Sequence, residues 1–546
     1  KAQRQFIPEP FPQSIHSNEE WEVIMHPAMQ MLPPKKQKEG DILYKHVKVP
    51  KFWNPPFFKP DVRSFLGNYG ERLMTPDEAS IIGSHTKMVG GAKLKADKMS
   101  SQEYTDADGN EEKRTFKAKA RNREMVDELE TIFITIASYR DYRCPHTVES
   151  VFARATYPER IRVGIVDQLD LTTDTNCGKP KELCDLDPSQ ILCKYSNLID
   201  VFEMNATLSV GPVFARHIGY RMYRGEYYTM QTDAHMEFIN GWDVDLISHW
   251  KSAKNEMAVL TTYVSSVENH YDPKTGESNS LRRPLMCASD FVEDYYETNL
   301  DVLQHGQEPE MEPDDLVMPT LEPFWAAGFS FGRGHFGVQV PYDQYLPMIF
   351  QGEEITVGIR GFTYGYDFYA PQTGVIFHYY NNSAKKKAGG KKVAKFWENS
   401  DLYEGVGAES KARLAGIIQM LTNETRSWNS VDAKKYGIGG ARTTQKFYDT
   451  FGIHIKEKKI EKHLCSFVGE KMQAQLIPHM RTNRMGINYD KVTYKFKNPR
   501  KDQDKESEDK EKSEDTDESE DEEAEELKDV EDEKAEEVED VEDEKA

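Results

Sequence analysis

Long apolar runs are absent from this chain of 546 residues. A helix that crosses a bilayer needs about 20 predominantly apolar residues in a row, so the sequence predicts no membrane span. The chain begins with Lys1, and we expect any membrane attachment to depend on an N-terminal anchor that this sequence does not contain.

Cysteine is scarce as well. The chain has six cysteines and no C-x-x-C pair, which argues against a structural zinc site. Three of them, Cys177, Cys184 and Cys193, fall in one polar loop. One disulfide in this loop would fit a secretory compartment, whereas free thiols would fit the cytosol, and the residues alone leave both open.

A basic stripe interleaved with aromatic residues is also missing, which argues against nucleic acid as the principal partner. The net charge of −23 comes almost entirely from residues 501–546, which hold 7 Lys and 27 acidic residues. The preceding 500 residues are nearly balanced, with 63 basic and 66 acidic side chains. The acidic tail has too few apolar residues to bury a core, and we predict that it is disordered.

The central part of the chain has the pattern of an α/β domain. Continuous β-branched runs at 131–137 and 161–166 are typical of strands buried on both faces. A helical pattern from Pro145 through Ala155 separates them, and strand–helix–strand is the βαβ unit of a parallel sheet. Further strands are predicted at 198–204, 227–231, 258–264 and 374–380. The composition of residues 1–125 predicts an irregular extension that packs aromatic side chains on this domain. The composition of residues 265–318 predicts a long polar loop.

One stretch places candidate ligands directly after a predicted buried strand at 227–231. Asp233 and His235 follow, and side chains two residues apart in extended chain point to the same side, where both could bind one ion. The alternative is a surface Asp and His at a strand end. A helix is predicted next, with Asn240 as its N-cap and with a buried face made of Trp242, Leu246 and Trp250.

Five ordered motifs carry a family resemblance. The first combines Ala215-Arg-His-Ile-Gly, Gly225-Glu-Tyr-Tyr and Gln-Thr-Asp233-Ala-His235. The others are Ala326-Ala-Gly-Phe-Ser-Phe, Gln351-Gly-Glu-Glu, Val375-Ile-Phe-His378 and Tyr436-Gly-Ile-Gly-Gly-Ala-Arg-Thr-Thr-Gln-Lys-Phe-Tyr. Together they resemble the polypeptide α-N-acetylglucosaminyltransferases over residues 130–455. The more distant polypeptide GalNAc-transferases show a similar arrangement.

The resemblance implies a GT-A fold: an α/β domain in which a nucleotide-sugar half and an acceptor half surround a mostly parallel central sheet with flanking helices. The implied domain boundaries are 1–125 for the irregular extension, 126–250 for the nucleotide-sugar half, 251–380 for the acceptor half, 381–500 for a C-terminal extension packed on the catalytic domain, and 501–546 for the acidic tail.

The resemblance also implies the site residues. Asp233, His235 and His378 would bind a divalent cation, and a carboxylate with two imidazoles suits Mn²⁺. The UDP-sugar would contact Ser138, Asp167, Arg216, Gly328 and Phe329, with Asp167 near the uridine and Arg216 near the nucleotide. Glu353 and Glu354 would be the catalytic residues that line the sugar and acceptor pocket, and the motif leaves open which is the counterpart of the family's glutamate.

We therefore expect metal-dependent, retaining transfer of N-acetylglucosamine from UDP-GlcNAc to a hydroxyproline, Thr or Ser hydroxyl of a protein acceptor. Front-face attack by that hydroxyl would need no dedicated protein base. The alternatives are a transferase for UDP-GalNAc or another UDP-sugar, a non-catalytic scaffold, and a hydrolase that activates water with the metal and Glu354. Family members occur in the Golgi and in the cytoplasm. We expect the Golgi or secretory lumen for this protein, with the cytoplasm as the alternative.

Overall fold

The computed structural model describes residues 21–31, 46–53, 74–81, 100–105, 111–116, 129–292, 300, 302–311, 318–380, 394–421, 427–461, 464–468 and 470–492. The acidic tail at 501–546 lies outside these ranges, so its disorder stays a prediction. Across the ranges described, no helix combines the length and the apolar character that crossing a bilayer requires.

The N-terminal extension contains more regular structure than predicted. Two strand pairs and two short helices occur in it: β1 (Trp21–Met25), α1 (Pro27–Met31), β2 (His46–Pro50), α2 (Pro76–Ile81), β3 (Ser100–Thr105) and β4 (Glu111–Phe116). Strand β1 pairs antiparallel with β2, and β3 with β4. The sequence concealed these strands because Pro, Lys and charged residues dominate the segments between them.

The predicted packing of N-terminal aromatics on the main domain is confirmed for Phe52 and Trp53. The Phe52 ring lies edge-on to His217 at 5.3 Å, and the Trp53 ring lies edge-on to Tyr223 at 5.4 Å, measured between ring centroids. The rest of the predicted aromatic segment, 54–58, lies outside the described residues.

The main domain alternates strands and helices. Its first half comprises β5 (Ile132–Tyr139), α3 (Cys144–Arg154), β6 (Ile161–Leu169), α4 (Ile191–Lys194), β7 (Ile199–Asn205), α5 (Pro212–Arg221), β8 (Tyr228–Asp233), β9 (Met236–Phe238), α6 (Trp242–Ser252) and β10 (Ala258–Thr261). Its second half comprises α7 (Val267–His270), β11 (Tyr271–Asp272), β12 (Glu277–Ser278), β13 (Arg283–Val292), β14 (Val302–Met311), β15 (Thr320–Glu322), β16 (Phe329–Arg333), α8 (His335–Gln339), α9 (Glu353–Thr363), β17 (Asp367–Ala370) and β18 (Ile376–His378).

The C-terminal part is mostly helical. It comprises a 3₁₀ helix at Phe396–Tyr403, then α10 (Val406–Ile417), α11 (Ala433–Tyr436), α12 (Thr444–Thr450), β19 (Ile453–His454), β20 (Lys459–Ile460) and α13 (Glu470–Leu476).

Among the described residues, eight strands form the central sheet in the order β15-β17-β10-β16-β8-β5-β6-β7. Strands β8, β5, β6 and β7 pair in parallel, as do β10 and β17, whereas β16 and β15 pair antiparallel with their neighbours. The predicted α/β class with a mostly parallel central sheet is therefore confirmed. Residues 132–134 are fully buried, as expected for a strand covered on both faces.

Two local predictions around α6 had different outcomes. Its predicted buried face is confirmed, since Trp242, Leu246 and Trp250 are all buried. The predicted N-cap is wrong: Gly241 occupies that position with φ of 74°. The Asn240 side chain instead accepts a hydrogen bond from Arg154 at 2.9 Å, an interaction with α3 that outcompetes local capping.

The predicted polar loop at 265–318 is wrong. Its described residues form α7, a short β11–β12 pair and the long antiparallel β13–β14 pair. Leu285, Met286 and Cys287 are buried where β13 meets the domain. Polar residues dominate this region and do not prevent strand pairing, because an antiparallel pair needs apolar side chains only where it packs on the domain.

All six cysteines lie in described residues and pair into three disulfides: Cys144–Cys177, Cys184–Cys193 and Cys287–Cys465. Only Cys184–Cys193 lies within the 177–193 loop, for which the sequence left open one disulfide or free thiols. The other two pairs join cysteines that are 33 and 178 residues apart in the chain. They could not be predicted from the sequence, because only the tertiary fold brings these cysteines together.

Candidate functional site

The carboxyl ends of β6, β5 and β8 lie side by side at one edge of the sheet. Across the parallel pairs, Ser138 is the register partner of Asp167, and Ala137 is the partner of Asp233. Three predicted site residues, Ser138, Asp167 and Asp233, therefore occupy one edge. Ligands of open α/β sheets bind beyond this kind of edge.

The chain bends between the two predicted ligands. Strand β8 ends at Asp233, Ala234 and His235 form a bend, and β9 begins at Met236. The predicted extended segment across Asp233 and His235 is therefore wrong, because β9 leaves the central sheet to pair with β18.

The pairing of β9 with β18 brings the third predicted ligand to the other two. His378 is the register partner of Met236. The Tyr379 N–H donates to the His235 carbonyl at 3.0 Å, and the His378 N–H donates to the Ser265 carbonyl at 3.0 Å. The strand predicted at 374–380 is present as the shorter β18, which ends at His378.

The three side chains form a compact cluster. The Nε2 atom of His378 lies 2.9 Å from Nε2 of His235 and 3.6 Å from Oδ2 of Asp233. Within the described residues, this group has ligand atoms that all lie within 4.8 Å of one another.

The donor set fits a divalent cation. Two atoms bound at a right angle to a metal about 2.1 Å away are about 3.0 Å apart, close to the 2.9 Å between the two ring nitrogens. At that distance the two nitrogens cannot both carry a proton, so at least one of them presents a lone pair. One carboxylate and two imidazoles also leave coordination positions open for phosphate oxygens, a combination that suits Mn²⁺.

The charge states favour the ligand forms. Burial and the neighbouring His235 ring lower the pKa of His378 to about 4, so its ring is neutral at neutral pH. Burial alone would raise the pKa of Asp233, but the facing His378 ring and the Arg216 guanidinium hold it far below its usual range. The cluster therefore presents an ionised carboxylate and neutral imidazole.

Sequence reasoning missed Asp141. Its Oδ2 accepts a hydrogen bond from Nδ1 of His235 at 2.6 Å, and its Oδ1 accepts one from the Arg143 N–H at 2.9 Å. Burial would raise the pKa of this carboxyl, but the facing His235 ring and the Arg143 N–H lower it overall. Its place in the polar loop after β5, at the same sheet edge, was the available signal.

Arg216 connects the cluster of Asp233, His235 and His378 to the start of α9. It is buried on α5, donates to Oδ1 of Asp233 at 2.7 Å, and donates to the buried carboxylate of Glu353. Two of the guanidinium nitrogens are thus engaged by carboxylates.

Glu354 occupies a different environment from its neighbour Glu353. The Tyr263 hydroxyl donates to its Oε2, and the Ala327 N–H donates to its Oε1 at 2.8 Å. Burial raises the pKa of Glu354 to about 7, although both hydrogen bonds act in the opposite direction. This carboxyl can therefore hold a proton at a higher pH than an exposed glutamate can.

Replacing Glu354 with Gln should raise the melting temperature at about pH 8 and leave it unchanged at about pH 4. A carboxyl whose folded-state pKa is raised contributes stability that is present below its ordinary pKa and is lost as the pH rises through about 7. The amide removes that loss while its oxygen still accepts from Ala327. The exposed Glu404→Gln is the control, and equal pH dependence in wild type and Glu354→Gln would contradict the assignment.

Asp167 and Ser138 form a buried polar pair beside the cluster. Oδ2 of Asp167 accepts the Cys177 N–H at 2.7 Å. Burial raises the pKa of Asp167 to about 7, while the Cys177 N–H and the neighbouring Ser138 side chain act to lower it. The Cys144–Cys177 disulfide anchors this donor next to the carboxyl.

The two remaining predicted residues, Gly328 and Phe329, have different surroundings. A Cβ on Gly328 would lie 3.1 Å from Oδ2 of Asp233, so glycine leaves room for that carboxylate. The Gly328 carbonyl also accepts the Asp233 N–H at 3.2 Å. Phe329 begins β16 and is only 1% exposed, in the core beneath the site; its substrate contact stays a prediction.

Comparisons with known proteins give one family match. The profile of the family described as Glycosyltransferase (GlcNAc) matches residues 131–192 and 182–457. Among curated proteins, none matches the chain.

Solved structures show remote similarity. The structure titled GalNAc-T7 with UDP, GalNAc and Mn²⁺ is 13% identical, with a TM-score of 0.39, covering 73% of this chain and 69% of that one. The structure of S. aureus TarS 1-349 in complex with UDP-GlcNAc is 12% identical, with a TM-score of 0.28, covering 52% of this chain and 71% of that one. Both TM-scores lie below 0.5, so these likenesses assign no ligand or reaction to this chain.

Proposed function

The chain belongs to the GlcNAc glycosyltransferase family, and we propose that it moves N-acetylglucosamine from UDP-GlcNAc to a hydroxyl of a protein acceptor, with a divalent cation and retention of configuration. The observation that carries the proposal is the convergence of Asp233, His235 and His378 at the sheet edge that also holds Asp167. A scaffold protein has no need of such a ligand set.

Each residue has a role in this proposal. Asp233, His235 and His378 would hold Mn²⁺, and a bound cation stabilises the negative charge that gathers on a departing diphosphate. Arg216 keeps Asp233 oriented through its 2.7 Å hydrogen bond. Asp167 offers a buried carboxylate oxygen to the N–H of a uracil ring.

The two glutamates would act on the sugar side. Glu353 is held by Arg216, and Glu354 is held by Tyr263 and the Ala327 N–H. Carboxylates fixed in this way can bind sugar hydroxyls and orient the acceptor hydroxyl for front-face attack. The pKa of about 7 at Glu354 also allows it to hold a proton near the reacting oxygens.

A panel of donors tests the proposal. The protein is incubated with Mn²⁺ and UDP-GlcNAc, UDP-GalNAc or UDP-glucose, with and without peptides that contain hydroxyproline, Thr or Ser, and released UDP is measured. UDP-GlcNAc should give the fastest release, and the release should depend on a peptide. Faster release from another donor would overturn the choice of sugar, release without any acceptor dependence would indicate a hydrolase, and no release from any donor would indicate a scaffold.

We place the protein in the secretory lumen, the expected compartment for a chain whose six cysteines are all paired. Alkylation of the unreduced, denatured protein isolated from its native cells should modify none of the six cysteines. Modification of all six in active protein would contradict this location.

Removing Cys287–Cys465 should lower the melting temperature more than removing Cys184–Cys193. The first disulfide joins residues 178 apart and the second joins residues 9 apart. Loop-closure entropy assigns about 5 kcal/mol to the long loop and about half of that to the short one. Thermal melts of the two Cys→Ala double variants check this, and equal shifts would contradict it.

A further inference from the structure

We propose that Asp141 is a positioning residue that fixes His235 in the tautomer that can bind a cation; the inference rests on the metal-dependent function proposed above. Its basis is a line of three side chains. Oδ2 of Asp141 lies 2.6 Å from Nδ1 of His235, and Nε2 of the same ring lies 2.9 Å from Nε2 of His378.

The carboxylate decides where the ring proton sits. An ionised carboxylate has no proton and can only accept, so the short contact to Nδ1 requires a proton on Nδ1. A neutral imidazole carries one proton, and Nε2 is then left with its lone pair. That lone pair points into the gap that His235 shares with Asp233 and His378.

Without the carboxylate, the other tautomer becomes available to His235. Its Nε2, which faces Nε2 of His378 at 2.9 Å, would then carry the ring proton and would have no lone pair for a cation. A cation could bind His235 only after that proton had moved back to Nδ1. His378 has no matching restraint, because its buried Nδ1 has no hydrogen-bond partner within the described residues.

Asp141 is itself rigidly held. It is 6% exposed, its Oδ1 accepts the Arg143 N–H, and its backbone carbonyl accepts the Cys144 N–H at 3.2 Å. The Cys144–Cys177 disulfide ties this turn to the neighbouring loop. A carboxylate that fixes the tautomer of a metal-binding histidine typically contributes about 10- to 100-fold in metal affinity.

The test separates the hydrogen bond from the charge. Asp141→Ala removes the acceptor, whereas Asp141→Asn removes the charge and keeps one carbonyl oxygen, which can accept either from Nδ1 of His235 or from the Arg143 N–H. Mn²⁺ affinity is measured by calorimetry without nucleotide, and the His235 tautomer is read from ¹⁵N shifts of the metal-free protein. Asp170→Ala, at the equivalent place after β6, is the control.

We expect a proton on Nδ1 of His235 in wild type, a shift toward Nε2–H in Asp141→Ala, and Mn²⁺ affinity about 10- to 100-fold weaker in that variant. In Asp141→Asn the affinity should follow the tautomer, near wild type with the proton on Nδ1 and weakened with the proton on Nε2, and Asp170→Ala should retain all of the affinity. The inference is overturned if wild-type His235 carries its proton on Nε2, if Asp141→Ala binds Mn²⁺ as tightly as wild type, or if Asp141→Asn with its proton on Nδ1 is as weak as Asp141→Ala.

The two proposals fail in different ways. If wild type itself binds no Mn²⁺, the metal-dependent function fails, while the tautomer measurement on the metal-free protein still decides the role of Asp141. If Asp141→Ala does not fold, the wild-type tautomer and the Asp141→Asn affinity decide it.

Discussion

Replacing His378 with Ala should reduce Mn²⁺-dependent transfer by orders of magnitude while the protein stays folded. The ring is partly buried at the end of β18 and faces His235 and Asp233 rather than the core. A bound cation stabilises a leaving diphosphate by several kcal/mol, and each 1.4 kcal/mol corresponds to about tenfold in rate. Asp233→Asn and His235→Ala should have similar effects, measured as UDP release and Mn²⁺ affinity.

The three ligands should behave as one unit. The double variant His235→Ala/His378→Ala should lose little beyond the worse of the two single variants, because either change already disables the site. His454→Ala is a matched control on an exposed histidine. Unfolding of His378→Ala, or near-normal Mn²⁺-dependent transfer by it, would show that His378 is not a ligand.

Replacing Arg216 with Met should lower both stability and transfer. Its guanidinium pairs with Asp233 and with Glu353, whose side chains are 24% and 3% exposed. Removing the guanidinium leaves two neighbouring carboxylates without a positive partner. Such a loss typically lowers the free energy of unfolding by about 3–5 kcal/mol. Transfer should fall by at least about 100-fold, because Asp233 loses the contact that orients it.

Two further variants separate folding from function. In Arg216→Met/Glu353→Gln one unpaired charge is gone, so much of the lost melting temperature should return while transfer stays low. Arg413→Met breaks the buried Arg413–Asp343 pair, which lies outside the candidate site; it should lower the melting temperature but leave the kcat/KM of the folded fraction near wild type. Folded Arg216→Met with normal transfer would contradict the role given to Arg216.

The sequence predicted the features that rest on local patterns. The β-branched runs became β5 and β6. The cluster of Asp233, His235 and His378 was implied by the family resemblance, and the structure brings the three side chains together. Hydrophobic periodicity predicts strands and helices because it depends only on residues that are near one another in the chain.

Features that depend on distant partners could not be predicted in this way. Asp141 was not singled out because its partner His235 lies 94 residues later, and the pairing exists only once β5 and β8 are adjacent. The bend at His235 likewise follows from the pairing of β9 with β18, 140 residues away in the chain by approximate count. The β13–β14 pair and the Cys287–Cys465 disulfide have the same cause.

The central claim is that the cluster of Asp233, His235 and His378 holds the cation on which the UDP-GlcNAc diphosphate binds. Calorimetric titration of UDP-GlcNAc, once with Mn²⁺ and once with EDTA, tests it most directly when wild type and Asp233→Asn are compared. We predict that wild type binds at least about 100-fold more tightly with Mn²⁺ than with EDTA, and that Asp233→Asn loses this difference. Equal affinity of wild type under the two conditions would contradict the claim.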